Sequence, residues 1–445
     1  MIGVLASRAD EASTAIARAL LERTEGRGPP STLDDRYDLD GVELRVVDAL
    51  HLNLADVQSY FAGDPDWIAI ASRHSGDTGA LLTAHHPGNV AEAAYGGEAY
   101  ALPPACPGAL SATVDALDRH APAGYEVGIE CTHHGPTAST LPLLFVEVGS
   151  SEPQWRDPEA AAAVAEALWA VRDAPAAADR SVVGIGGGHY APRYRRLLRE
   201  TTWCVGHVLA DWGLESLEVD RREAVVEAAL QRSGAAYALV VGDHPWASSI
   251  VEALGYRAVD ERWLRAADAL SPAVVDRLEG DVQPLDDGLA LGDGTAEDPA
   301  TIEVVALPGD LLAEAAAIDP DATAACVAAA SVAYATGDDG HPSGGVAIAP
   351  GRSASAVIDG LVSILGARYD ALDRRDGHVV ASRRAFHPEL AHELGVPEGP
   401  LFGRLADGEA VEVDGETVPP TAVTRREARR FETVVRRSSD GPGER

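Results

Sequence analysis

From Met1 to Leu264, short apolar, β-branched runs alternate with amphipathic stretches, and several of the runs stop at Gly, Pro and His. Strands covered by helices produce this alternation. It restricts the chain to an α/β architecture with a largely parallel or mixed sheet. Ile2–Ala6, Val42–Val47, Trp67–Ala71, Ala80–Ala84, Tyr125–Ile129, Leu143–Val148, Ser181–Ile185 and Tyr237–Val241 read as strands. Glu11–Glu22, Gly108–Arg119, Pro158–Val171, Tyr194–Glu200, Arg222–Arg232 and Ala247–Leu254 read as helices. In the first of these helices Ala15, Ile16, Ala19 and Leu20 share one face.

At 445 residues the chain is too long for one ordinary core, so two domains are expected. The first, 1–268, is an α/β domain: a three-layer mixed sheet flanked by helices. Residues 269–300 are polar and turn-rich and read as a linker. A smaller α+β domain over 301–435 follows, with a strand at Ile302–Leu307 and helices around Leu311–Ala317, Ala322–Ala335 and Ala354–Arg368. The tail, 436–445, reads as disordered.

The net charge is −34, from 70 Asp and Glu against 36 basic residues, and every one of those 36 is Arg. The acids are spread along the chain rather than gathered into a tail. A carboxylate-coated surface stays hydrated in strong salt, so the composition points to the cytoplasm of a halophile, a salt-accumulating cell. Such a surface repels nucleic acid in dilute buffer. In molar salt the Debye length shrinks to roughly 3 Å, and both that repulsion and the affinity from counterion release fade. Charge therefore leaves an RNA partner open, bound through shape, stacking and short hydrogen bonds. The four Cys lie far apart with no CxxC, which fits a reducing compartment. The start lacks the basic flank and apolar stretch of a signal peptide, and no run is long enough to span a bilayer.

Two segments concentrate chemistry. The first is Glu130-Cys131-Thr132-His133-His134-Gly135-Pro136-Thr137. In an extended segment Cys131 and His133 would share one face, and Glu130, Thr132 and His134 the other. Both sets contain plausible metal ligands, and His134 is equally a candidate general base. Cys131 beside His133 is a possible nucleophile, ranked below attack by water. The second segment is Gly186-Gly187-Gly188-His189-Tyr190-Ala191-Pro192-Arg193. Three glycines let a substrate lie on the backbone, and their N–H groups are candidates to hold an anion or a developing oxyanion. Arg193 near a helix start suits a phosphate. A third cluster, Ser72-Arg73-His74-Ser75-Gly76 with Thr83-Ala84-His85-His86-Pro87-Gly88-Asn89, also lies just past apolar runs. These ends are expected to converge at the carboxyl edge of the sheet.

Taken together, these segments resemble the archaeal and plant type of D-aminoacyl-tRNA deacylase, over roughly Met1 to Leu264. The resemblance implies a fold like that of the phosphorylases and peptidyl-tRNA hydrolases. It also implies zinc dependence and hydrolysis of the ester joining a D-amino acid to tRNA, a proofreading and detoxifying reaction. On this reading His133, His134, His189 and Glu130 are the catalytic candidates. Gly186, Gly187, Gly188, Tyr190, Arg193, Thr137, Arg73 and His74 are the substrate-binding ones, and His133, His134, His189 and His85 are the candidate zinc ligands. The expected partner is tRNA carrying a D-amino acid, with no DNA and no membrane, acting on a monomer. The alternatives are another hydrolase or phosphorylase of that fold, on peptidyl-tRNA or a nucleoside ribose, and a non-catalytic RNA-binding protein. Beyond the linker, His387 to Gly403 resembles a stretch of the tRNA 3′-processing endonuclease. That enzyme's HxHxDH is absent here, so no nuclease activity carries over.

Overall fold

The computed structural model describes residues 1–25 and 32–437. It divides into two compact units, the first Met1–Arg265 and the second from Ala266 onward. In the first unit the apolar runs form eleven strands among the described residues: β1 (Ile2–Ser7), β2 (Arg36–Leu39), β3 (Val42–Val47), β4 (Ile68–Arg73), β5 (Leu81–His85), β6 (Glu126–Ile129), β7 (Leu143–Gly149), β8 (Ser181–Ile185), β9 (Cys204–Leu209), β10 (Tyr237–Val240) and β11 (Arg257–Val259).

These strands build two sheets rather than the single sheet expected. Seven strands follow the order β2-β3-β1-β4-β7-β5-β6, and four follow β11-β10-β8-β9. The seven-stranded sheet is mixed: β3, β1, β4 and β7 run parallel, while β2 pairs antiparallel with β3 and β5 antiparallel with β7. The four-stranded sheet is wholly parallel. Helices Glu11–Glu25, Pro107–His120 and Pro158–Ala170 pack on one another and against the larger sheet. Leu5, Ile68, Ile70, Leu143 and Phe145 form a buried apolar layer with Val57 and Phe61.

The antiparallel placement of β5 corrects the expected single carboxyl edge. Since β4 and β7 run one way and β5 and β6 the other, the chain leaves β4 at His74 and leaves β5 and β6 at the opposite edge. The two segments meet over one face of β7, where alternation presents Phe145 and Glu147 together.

The second unit contains β12 (Leu289–Leu291), β13 (Glu303–Ala306), β14 (Ser331–Thr336), β15 (Pro342–Ile348), β16 (Ala371–Arg375), β17 (His378–Phe386), β18 (Val411–Val413), β19 (Glu416–Val418), β20 (Thr424–Glu432) and β21 (Arg436–Arg437). They form sheets ordered β12-β14-β15-β13-β21, β16-β17-β20 and β18-β19, all antiparallel in their pairings. Three expectations change here. The segment read as a linker holds a helix, Pro272–Asp281, capped by Ser271 and burying Val274, Val275 and Leu278. It also supplies β12. The helix expected over Ala322–Ala335 ends at Ala330. Ser331–Thr336 extends instead, its buried positions filling a sheet interior, because tertiary pairing with β15 outweighs the helix propensity of its alanines. In the tail, Arg436 and Arg437 pair with β13, and the rest of the expected disordered segment lies outside the described residues.

Candidate active site

β6 ends at Ile129, and the next five residues are not strand. Alternation therefore fails to sort the first segment. His134 adopts a left-handed conformation with φ of 47°, and Glu130, His133 and His134 all line one cavity of about 470 Å³. His74, Glu147, His189, Arg73, His51, Asp10 and Tyr95 line it as well. Cys131 is buried beneath, its sulfur 3.5 Å from His189 Nδ1.

Glu130 is the hub. Its Oε2 accepts from His189 Nε2 at 2.8 Å and lies 3.7 Å from His133 Nε2. Its Oε1 is 3.3 Å from His74 Nδ1 but out of hydrogen-bond alignment, so this buried oxygen has no partner. Glu147 sits 3.7 Å from both His74 Nδ1 and His85 Nε2. His85 is fully buried, stacked between the rings of His133 and Phe145, and its Nε2 also has no hydrogen bond.

The electrostatics separate the imidazoles into two kinds. Burial, then the neighbouring His85, push His133 well below its ordinary value. The same two causes lower His134 to about 4. Both rings are neutral near pH 7. His133 Nδ1–H donates to the Cys131 carbonyl and His134 Nδ1–H to the Gly135 carbonyl, each at 2.8 Å. Their Nε2 atoms are thereby left as lone pairs. His74 and His189 behave in the opposite way. Burial depresses His74, yet the Glu130 and Glu147 carboxylates overcome it and hold the ring at about 9. His189 is raised to about 10 by the Cys131 sulfur and by Glu130, against burial. Burial resists ionisation of both acids, but His189 and His74 keep Glu130 well below the usual carboxylate range. His74 and His85 keep Glu147 at about 2.

Lone pairs and carboxylate oxygens thus point at one another across the cavity, an arrangement that a cation relieves. Three groups, the first two sharing His133, each bring donor atoms within 4.8 Å of one another: His85, His133 and His134; Cys131, His133 and His189; and His74, Glu130 and Glu147. Among the unpartnered buried atoms, Glu130 Oε1 and His85 Nε2 fit the same conclusion.

The other expected residues fall in different places. Tyr190 stands at the rim, 39% exposed, with its hydroxyl 3.4 Å from His74 Nε2. Arg73 lines the cavity and stacks on Trp155, 5.0 Å from the ring centre. The glycine loop differs from the anion cradle expected. Gly186 N–H donates to the Leu209 carbonyl and Gly187 N–H to Asp211 Oδ1. Both amides are engaged by the fold, and Gly188 alone faces open space. Thr137 is nearly buried, its hydroxyl accepting from Glu98 N–H at 2.8 Å, so it anchors a neighbouring loop. Arg193 is exposed on the first turn of the helix Pro192–Glu200, outside the cavity lining.

Glu147, His51 and Asp10 line the cavity without having been singled out in the sequence. Glu147 left a signal, as the one acid in the buried strand LLFVEVG. Asp10 caps its helix through Ser13 N–H and accepts Arg73 N–H at 3.0 Å, so it reads as a helix cap. His86 and His207 form a separate buried pair. His86 accepts from Cys106 N–H, and His207 bonds the Thr132 hydroxyl at 3.0 Å.

An α/β sheet carrying a cavity of neutral imidazoles, ionised carboxylates and two protonated histidines, with three candidate metal-ligand groups, has the side-chain chemistry of the hydrolase class. The comparisons narrow that class. A family model described as D-aminoacyl-tRNA deacylase matches residues 61–254. The D-aminoacyl-tRNA deacylase of Haloarcula marismortui is 42% identical, covering 97% of this chain and 100% of that protein. That of Halorubrum lacusprofundi is 46% identical over 97% and 96%, and that of Methanoregula boonei 33% over 81% and 84%. A crystal structure of a conserved protein of unknown function, AF0625, matches 60% of this chain and 96% of its own. Its TM-score is 0.54 and its identity 29%. The chain belongs to the D-aminoacyl-tRNA deacylase family.

Proposed function

We propose that the protein hydrolyses the ester of D-aminoacyl-tRNA, releasing free D-amino acid and tRNA, at the cavity around Glu130. One observation carries the assignment to this cavity. The matched region 61–254 contains Glu130, Glu147 and every cavity-lining histidine except His51, and relatives named for this activity align over nearly the whole chain. The fold class extends to the phosphorylase and peptidyl-tRNA-hydrolase type. The catalytic domain is the first unit, and the setting is the cytoplasm of a salt-rich cell. No helix among the described residues is long and apolar enough to cross a membrane.

The donor set fits zinc. His133 and His134 would hold it through their Nε2 atoms, with His85 as the remaining nitrogen candidate. His189, expected as a ligand from the sequence, is held protonated between Glu130 and the Cys131 sulfur and has no lone pair to offer. Such an ion supplies Lewis-acid polarisation of the ester carbonyl and eases deprotonation of water. The protein's own groups do the rest. Glu130, ionised and with one oxygen unpartnered, accepts the proton of the attacking water. His189, held protonated and about a third exposed, donates to the ribose oxygen as it leaves. His74, cationic between two carboxylates, keeps both ionised. Gly188 gives the substrate a backbone surface to lie against, while Tyr190 and Arg73 border it. Arg193 meets a phosphate further along the acceptor end. Stereochemical choice comes from cavity walls that exclude the L side chain more readily than from added contacts to the D form.

The test is deacylation of D- and L-charged tRNA in molar KCl, with and without a chelator. D-specific release that the chelator abolishes supports the reading. Equal release from both, or none, contradicts it.

A further inference from the structure

On the solvent face of the sheet β16-β17-β20, two arginines stand directly opposite each other. Arg384 pairs with Arg426 in the antiparallel register, and Ser382 with Ala428 beside them. Val379, Ala381 and Phe431 are buried on the other face, so alternation turns Arg384, Arg426 and Arg430 outward. Like charges facing each other across strands destabilise a sheet. The neighbouring arginines avoid this: Arg375 pairs with Asp373, Arg383 with Glu427 and Arg430 with Glu432. Arg384 and Arg426 do not. Among the described residues no carboxylate comes within ion-pair distance of either guanidinium. Arg426 Nη2 donates to the Ser382 hydroxyl at 2.9 Å, and Asp370 accepts the Arg384 backbone amide rather than its side chain.

The chain carries 70 acids for 36 arginines, so an acid at either position would have relieved the repulsion. Ala428, small and exposed beside the pair, adds no side-chain bulk above the two guanidinium groups. Two forked guanidinium groups a strand apart match successive phosphodiester oxygens, and bidentate contacts act at short range, where molar salt screens least. We propose that this face of the second unit is an RNA docking surface that takes the phosphate backbone of tRNA. The identity of the RNA rests on the deacylase reading above.

The experiment measures the Kd of the full chain for uncharged tRNA across a KCl series. The parent is compared with the double variants Arg384→Gln/Arg426→Gln and Arg384→Glu/Arg426→Glu. The neutral variant should bind roughly ten-fold more weakly, with the slope of log K against log salt reduced by about 1.5–2, as expected for two lost phosphate contacts. The charge-reversed variant should bind more weakly still. Hydrolysis of a D-aminoacyl ester of a short 3′-terminal oligonucleotide should be unchanged in both. An unchanged tRNA Kd and slope overturns the proposal, as does a parent with no measurable tRNA affinity. Self-association of the variants with an unaltered Kd also overturns it, since the arginines then serve only to keep the strand edge from pairing. A parent that binds tRNA through this face but releases no D-amino acid leaves the surface standing and removes the catalytic reading.

Discussion

His189 Nε2 lies 2.8 Å from Glu130 Oε2, joining the two histidine-bearing segments across 59 positions of sequence. The bond ties an imidazole about a third exposed to a fully buried carboxylate. It leaves the second oxygen of Glu130 unpartnered in the cavity.

The glycine loop makes a contrast that backbone geometry decides. Gly186 has φ of 93°, and a Cβ there would lie 1.9 Å from the Val241 carbonyl oxygen. Gly186→Ala should cost at least about 3 kcal/mol of stability by urea denaturation. At Gly188 a Cβ meets nothing within 4 Å, so Gly188→Ala should fold normally and raise KM for charged tRNA.

The buried pair Thr132–His207 holds the first segment in place. His207 Nε2–H donates to the Pro103 carbonyl at 2.9 Å, leaving Nδ1 to accept from Thr132. Thr132 in turn accepts from Val208 N–H at 3.0 Å. His207→Ala leaves buried groups unsatisfied and a cavity behind, so it should lower stability by about 2–4 kcal/mol. Thermal or urea unfolding checks this.

These two cases show what the sequence makes legible. Runs of β-branched residues ending in Gly and His placed β6 and β8 and picked out Glu130, His133, His134 and His189, because strand ends with polar, turn-forming residues have few other physical explanations. The direction of β5 was hidden, since an apolar five-residue strand reads the same parallel or antiparallel. β9 was missed because Gly206 and His207 interrupt its apolar run. Glu147 was masked by the run around it, for a carboxylate inside a core strand is legible only once histidines face it. The engagement of Gly186 and Gly187 N–H depends on long-range partners, Leu209 and Asp211, which no local pattern announces.

In the second unit the pH dependence follows from Glu314. Burial works against its ionisation, but Tyr369, Arg368 and Arg429 outweigh it and hold the carboxyl below its ordinary 4.5. Both Arg368 Nη1 and the Tyr369 hydroxyl donate to Oε1 at 2.9 Å. A depressed carboxyl stabilises the fold above the unfolded value and loses that contribution as pH falls through the folded one. Glu314→Gln should therefore cost about 1–3 kcal/mol near pH 7, and the gap to the parent should narrow as pH falls below the ordinary 4.5. Urea midpoints of both proteins from pH 7 to pH 3 test the sign.

Metal content offers a readout independent of catalysis. Equilibrium dialysis against zinc should show the parent loading and the His133→Ala/His134→Ala variant binding at least about 100-fold more weakly. Equal loading would remove both residues from the ligand set.

The most direct test of the ester-cleaving centre is the rate at which D-amino acid leaves charged tRNA with the parent and with Glu130→Gln, both confirmed folded, in molar KCl. The expected result is a loss of about 100-fold or more in the variant, as removal of one acid/base group produces. Equal rates would place the chemistry elsewhere in the molecule.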